Sequence, residues 1–104
     1  MYKKRRMKNI KVNDFEISND KPFTLIVGPC VIENRDHVLK IAENIKYICD
    51  ETNINFIFKA SFDKANRTNI SSVRGVGIKE AEKIFNEIKT NFKCPILTDV
   101  HNEL

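Results

Sequence analysis

Apolar and polar residues alternate most clearly from Asn55 to Arg67, Asn-Phe-Ile-Phe-Lys-Ala-Ser-Phe-Asp-Lys-Ala-Asn-Arg. Read as a strand from Asn55 to Ser61, this segment puts Phe56, Phe58 and Ala60, with Phe62 after them, on one face and Ile57, Lys59 and Ser61 on the other. The phenylalanine face calls for a cover of helices. The opposite face begins apolar and ends charged, the pattern of a strand whose last residues open into a polar site. Upstream, Phe23-Thr24-Leu25-Ile26-Val27 is short, mostly apolar and stopped by Gly28-Pro29, which predicts a buried strand. Downstream, Pro95 to His101 predicts a third strand that ends in polar groups.

Between these strands the apolar residues recur at helical spacing. Val38, Ile41, Ala42, Ile45, Ile48 and Cys49 mark one stripe of a helix from about Arg35 to Glu51, with Asn34 or Asp36 as its N-cap. Ile78, Ala81, Ile84, Phe85, Ile88 and Phe92 mark a second helix from Ile78 to Phe92. Ahead of the first long strand, Ile10, Val12, Phe15 and Ile17 flank the turn-prone pair Asn13-Asp14. That predicts a hairpin over residues 9–12 and 15–18, followed by a turn cluster from Ser18 to Pro22. The order is hairpin, then β–α–β–α–β. It implies an α/β fold with parallel strands joined by right-handed crossovers. Polar groups collect at the C-terminal ends of all three strands, the edge on which such sheets build their sites.

Composition narrows the function classes. The 104 residues are 41% hydrophobic and 31% charged with a net charge of +4, which suits one small domain. Lys+Arg total 18 against 14 for Asp+Glu, and the excess lies in Lys3, Lys4, Arg5, Arg6 and Lys8. Residues 1–8 therefore read as a basic, disordered tail. The near-neutral remainder does not indicate a nucleic-acid surface. Cys30, Cys49 and Cys94 are odd in number, widely spaced and without a CxxC pair, which suits free thiols in a reducing cytoplasm. No apolar stretch approaches the length of a membrane span, and the basic start does not read as a secretion signal. The glycine-rich signatures of dinucleotide and P-loop sites are absent.

Lys59, Lys64 and Arg67, beside Asp63 and Asn66, suit an anionic ligand such as a phosphate or carboxylate. The same run can equally be a solvated loop. The polar connection from Lys64 to Gly77 is long for a structural connector, which favours a functional role. Cys30 follows Gly-Pro at a strand end, where a thiolate can bind a soft or borderline metal, although a lone cysteine is ordinarily inert. Cys49 and Cys94 read as small core residues, and His37 as a surface residue.

Phe58-Lys59-Ala60-Ser61-Phe62-Asp63-Lys64-Ala65-Asn66-Arg67 resembles the signature of the 3-deoxy-D-manno-octulosonate 8-phosphate synthase family, whose members join phosphoenolpyruvate to D-arabinose 5-phosphate. Cys30-Val31-Ile32-Glu33 after Gly28-Pro29 is similar to that family's metal-dependent branch, in which the cysteine is a metal ligand. The other ligands, a His, a Glu and an Asp, lie farther downstream than this chain reaches. The resemblance implies substrate-binding roles for Lys59, Lys64, Asn66, Arg67, Thr68 and Asp99. Thr68 keeps the hydroxyl of the family's serine. Asp99 and His101, in Thr-Asp-Val-His, match a further strand end. Asn69, Ser71, Val73 and Val76 depart from the pattern beside the site, which bears on affinity rather than on membership.

The resemblance further implies a partial (β/α)8 TIM barrel, with residues 9–104 as the N-terminal portion of one barrel domain: the hairpin, three parallel strands and two helices. It implies a divalent metal of the zinc, iron or manganese class, a homotetramer, and no nucleic-acid or membrane partner. The family barrel typically takes about 250 residues, so the 104-residue chain alone is expected not to be catalytically competent. Two alternatives stand beside this reading. One is the related 3-deoxy-D-arabino-heptulosonate 7-phosphate synthase, which also has Gly-Pro-Cys and acts on erythrose 4-phosphate. The other is a non-catalytic remnant whose basic tail binds acidic partners.

Overall fold

The computed structural model describes residues 8–62 and 75–100. Lys64, Asn66, Arg67, Thr68, most of the polar connection, His101 and nearly all of the basic tail lie outside the described residues. Elements run β1 (Ile10–Val12), β2 (Phe15–Ile17), β3 (Leu25–Val27), α1 (Arg35–Thr52), β4 (Phe56–Lys59), α2 (Ile78–Phe92) and β5 (Ile96–Leu97). β1 and β2 form an antiparallel hairpin around Asn13, whose φ of 49° is the left-handed conformation that asparagine tolerates. β3, β4 and β5 form a parallel sheet in that order. The fold is α/β, with a parallel sheet and two helices.

Sequence pattern dictates most of this. Asn34 is the cap of α1, in extended conformation, and its Oδ1 accepts from the His37 amide at 2.8 Å. Asp36 lies inside the first turn instead, on the favourable end of the helix dipole. α1 ends at Asn53, with φ of 55°, and the Ile54 amide returns to the Cys49 carbonyl at 2.9 Å. α2 ends at Lys93 in the same left-handed conformation, its amide on the Lys89 carbonyl at 2.9 Å.

The core lies between one face of the sheet and the two helices. Phe56, Phe58 and Ala60 bury against Val38, Ala42 and Cys49 of α1 and against Ala81, Ile84 and Ile88 of α2, with Ile32 and Cys94 completing the layer. Phe58 is fully buried, which is worth roughly 1.5–3 kcal/mol. Burial pushes the Cys49 and Cys94 thiols above their ordinary pKa, so both stay protonated core groups. Arg35 donates through Nε to Glu87 Oε1 at 3.0 Å and through Nη2 to Oε2, tying the start of α1 to α2.

Three expectations are corrected in extent. The first parallel strand begins at Leu25, and Phe23 is largely exposed. It is also not buried on both faces, because Ile26 turns away from the helices and is 53% exposed. A short apolar run fits a strand covered on one face as well as on two, and periodicity cannot separate them. The third strand is only Ile96–Leu97, since ladder bonds from β4 end where Ala60 donates to the Leu97 carbonyl at 3.2 Å.

Candidate active site

The register of the parallel ladder places the functional side chains. Ile26 pairs with Ile57, Val27 with Phe58, Phe58 with Ile96, and Lys59 with Leu97. Alternation then puts Ile26, Ile57, Lys59 and Leu97 on the face that the helices leave open, apolar towards the N-terminal edge and charged towards the C-terminal one. Lys59 is exposed there, as the strand pattern predicted.

Beyond Val27 the two strands stay close because Gly28 has no side chain. A Cβ at Gly28 would stand 1.7 Å from the Lys59 carbonyl oxygen. Pro29 follows and has no amide to donate to the ladder. Even continuation of the pairing would set Cys30 beside Ser61, yet it is Val31 that bridges Ser61, and the Ile32 amide donates to the Ser61 carbonyl at 2.8 Å. This one-residue step buries Val31 and Ile32 and leaves Cys30 exposed at the sheet edge. Cys30 and Lys59 consequently line one open depression of about 280 Å³, walled by Ile26, Val27, Gly28 and Pro29.

Asp99 reaches the same edge from β5. Ser61, 1% exposed, donates its hydroxyl to Asp99 Oδ1 at 2.5 Å. Phe62, the next residue, meets the far end of the connection. A Cβ on Gly75, whose φ is 110°, would lie 2.2 Å from the Phe62 carbonyl oxygen. Only glycine combines that backbone with that proximity, so the two flanks of segment 63–74 are held side by side at the sheet edge.

Of the residues singled out from sequence, Cys30 and Lys59 share the depression and Asp99 sits at the same edge. The two contributions that pattern alone missed are Gly28 as the point of close approach and Ser61 as the partner of Asp99. Their signal was parity: Ser61 lies on the Lys59 face, and Asp99 on the Leu97 face, once the register is known. As a metal centre, Cys30 offers one soft donor. Among the described residues no group of three or more His, Cys, Asp or Glu side chains gathers to complete a site. Also among them, no helix is long and apolar enough to cross a membrane.

Comparison with known proteins gives one family match and several similar relatives. The profile described as the DAHP synthetase I family matches residues 6–104. The chain is 54% identical over 94 residues to a 2-dehydro-3-deoxyphosphooctonate aldolase of Bartonella henselae, covering 90% of this chain and 34% of the relative. It is 51% identical over 94 residues to the Bartonella quintana protein of the same name. A Rickettsia rickettsii protein, again so named, is 50% identical over 96 residues, with 92% of this chain and 35% of the relative covered. The chain thus spans about a third of the length of the curated relatives it matches.

Proposed function

Because the chain belongs to the DAHP synthetase I family, we propose that it supplies the first third of a (β/α)8 barrel that condenses phosphoenolpyruvate with D-arabinose 5-phosphate. The products are 3-deoxy-D-manno-octulosonate 8-phosphate, a sugar of the lipopolysaccharide inner core, and inorganic phosphate. The observation that carries this reading is the shared depression of Cys30 and Lys59 at the C-terminal edge of a parallel sheet, where barrel enzymes build their sites. The barrel is supported by the apolar surface left open. Ile26 and Leu97 line the face away from the helices, and Phe62, Phe85 and Val100 line a groove of about 320 Å³ beside α2. Further strands and helices of a barrel would cover both.

The reaction is aldol-like. C3 of phosphoenolpyruvate bonds to the aldehyde carbon of the open-chain sugar, water adds at C2, and phosphate leaves from C2. Phosphoenolpyruvate carries a phosphate and a carboxylate close together, and fixed cations offset their repulsion. Lys59 and Lys64 take that role, Asn66, Arg67 and Thr68 hold the sugar phosphate, and Arg67 can do so through two parallel hydrogen bonds. Asp99 serves the sugar rather than phosphoenolpyruvate. A carboxylate accepts hydrogen bonds, and only the sugar brings hydroxyl donors. Cys30 would give one thiolate to a divalent cation of the zinc, iron or manganese class, whose contribution would be to orient or polarise the aldehyde or the water. The unpaired thiols of Cys49 and Cys94, buried in the core, suit a reducing compartment, the cytoplasm. The assembly proposed is a homotetramer of complete barrels.

The heptulosonate synthase reading is favoured only by the wording of the family description, whereas the similar relatives carry the octonate aldolase name. Both are tested on one protein: residues 1–104 joined to the remaining two thirds of the Bartonella henselae relative. Product formation from phosphoenolpyruvate is measured with arabinose 5-phosphate and with erythrose 4-phosphate. Turnover of the pentose phosphate is expected. Preference for the tetrose phosphate would replace this reading by the heptulosonate one, and turnover of neither would overturn both.

A further inference from the structure

The parallel ladder carries one residue more on the β3 side than on the β4 side. The Leu25 amide donates to the Asn55 carbonyl at 2.9 Å, and the Ile32 amide donates to the Ser61 carbonyl at 2.8 Å. The donors, 25 and 32, are seven positions apart and the acceptors, 55 and 61, are six, so one residue between Val27 and Ile32 is surplus to the pairing. The surplus inverts the alternation. Leu25 and Val27 pack against the helix-side core and Ile26 is exposed on the other face, yet Ile32, an even position like Ile26, is fully buried in that core. An insertion of this kind is a bulge, and it re-aims the side chains beside it.

Two residues account for where the surplus falls. The phase set by Leu25 and Val27 brings the amide of residue 29 to the Lys59 carbonyl, and Pro29 has no amide to give. Staying in phase therefore gains no bond at that rung. It would also turn Ile32 to the open face, and burial of a whole isoleucine side chain outweighs one ladder bond. The Cys30 side chain, between the two, stays out of the core and is exposed beside Lys59. We propose that Pro29 and Ile32 are positioning residues: together they hold the Cys30 thiol out of the core and present it to the depression it shares with Lys59. The use of that thiol as a cation donor rests on the proposed function above, whereas the register break does not.

Deletion of Pro29 from the 104-residue chain tests this directly. It removes the surplus, sets the Cys30 amide opposite the Lys59 carbonyl, keeps the Ile32 bond in phase and turns the Cys30 side chain towards the helices. Cooperative melting is expected to survive. Labelling of Cys30 by a thiol reagent should slow by roughly tenfold or more, towards the rates of Cys49 and Cys94. Deletion of Ile57, from the strand without a surplus, should abolish cooperative melting. Amide exchange reads the register itself. Pro29→Ala alone should keep protection at the residue 32 amide. Pro29→Ala with Ile32→Ser should move protection to the Val31 amide, and Pro29→Ala with Ile32→Val should return it to residue 32. In the completed barrel described above, added cobalt(II) should give a thiolate-to-metal absorption band that the Pro29 deletion removes. Loss of cooperative melting on deleting Pro29, undiminished labelling of Cys30 in the deleted chain, protection that stays at residue 32 in the serine variant, or a cobalt band that survives the deletion would each overturn the assignment. An undeleted barrel without the band would overturn the cation part of the proposed function, an outcome distinct from a failure of the register.

Discussion

Gly28 abuts the Lys59 carbonyl, so that a methyl group placed on its α-carbon would stand 1.7 Å from the oxygen. The obstacle is backbone, not a side chain that could swing aside. Gly28→Ala must therefore push β3 and β4 apart where Cys30 and Lys59 are presented. The expected cost is about 1–3 kcal/mol, in the range of other overpacked sites. It is to be measured as a lowered urea midpoint at unchanged slope, and an unaltered Lys59 amide resonance in the variant would contradict it.

The helix ends give predictions of opposite sign. Asn34→Ala removes the acceptor of the His37 amide and should destabilise by about 1 kcal/mol. Asn34→Asp should be nearly neutral, because its carboxylate can accept the same bond. Lys93 holds a φ of 51° that costs a side-chain-bearing residue energy and costs glycine none. Lys93→Gly should accordingly raise stability by up to about 1 kcal/mol. Chemical denaturation of the three variants beside the parent decides each sign.

Phe58 is the centre of the core, with no exposed surface, between the two helices. Truncation to alanine leaves a cavity that backbone pinned by ladder bonds on both sides cannot close. A loss of about 3–5 kcal/mol is expected. Phe23→Ala, at a position 67% exposed, should cost little by comparison. Equal losses at the two sites would show that the burial order is wrong.

The three cysteines should differ sharply in chemistry. Cys30 is exposed, whereas Cys49 and Cys94 are buried and their thiols are pushed up from the ordinary 9.0 by burial. A thiol reagent should label Cys30 at once and the other two only on unfolding. The pH dependence has a definite sign. Below 9.0 the buried thiols are protonated in both folded and unfolded chains, and their contribution to stability is constant. As pH rises beyond that value the unfolded chain releases the protons first, so stability falls. Replacing Cys49 and Cys94 by alanine should flatten this alkaline decline, followed by denaturation at graded pH.

How much was legible in the sequence depends on how far apart the deciding residues stand. The span of α2 and the start of α1 followed from apolar spacing, and the burial of Phe56, Phe58 and Ala60 on one shared face followed from alternation. Each of these is fixed by neighbours within a turn or two of chain. The pattern extends the first strand back to Phe23 and the third past Leu97, whereas lateral hydrogen bonding holds only Leu25–Val27 and Ile96–Leu97 among the described residues.

The amino-acid order by itself therefore determined where the helices and strands lie, which faces are apolar, and that Lys59 stands exposed where the second parallel strand ends. Only the tertiary structure decided that Gly28 lies on the Lys59 carbonyl, that Cys30 slips out of the ladder after Pro29, and that Ser61 meets Asp99 across 38 positions. Period and propensity are local properties of a chain. Register is a choice between whole strands, settled by the burial of an entire face at once, and a single-residue shift in it would have sent every one of these side chains elsewhere.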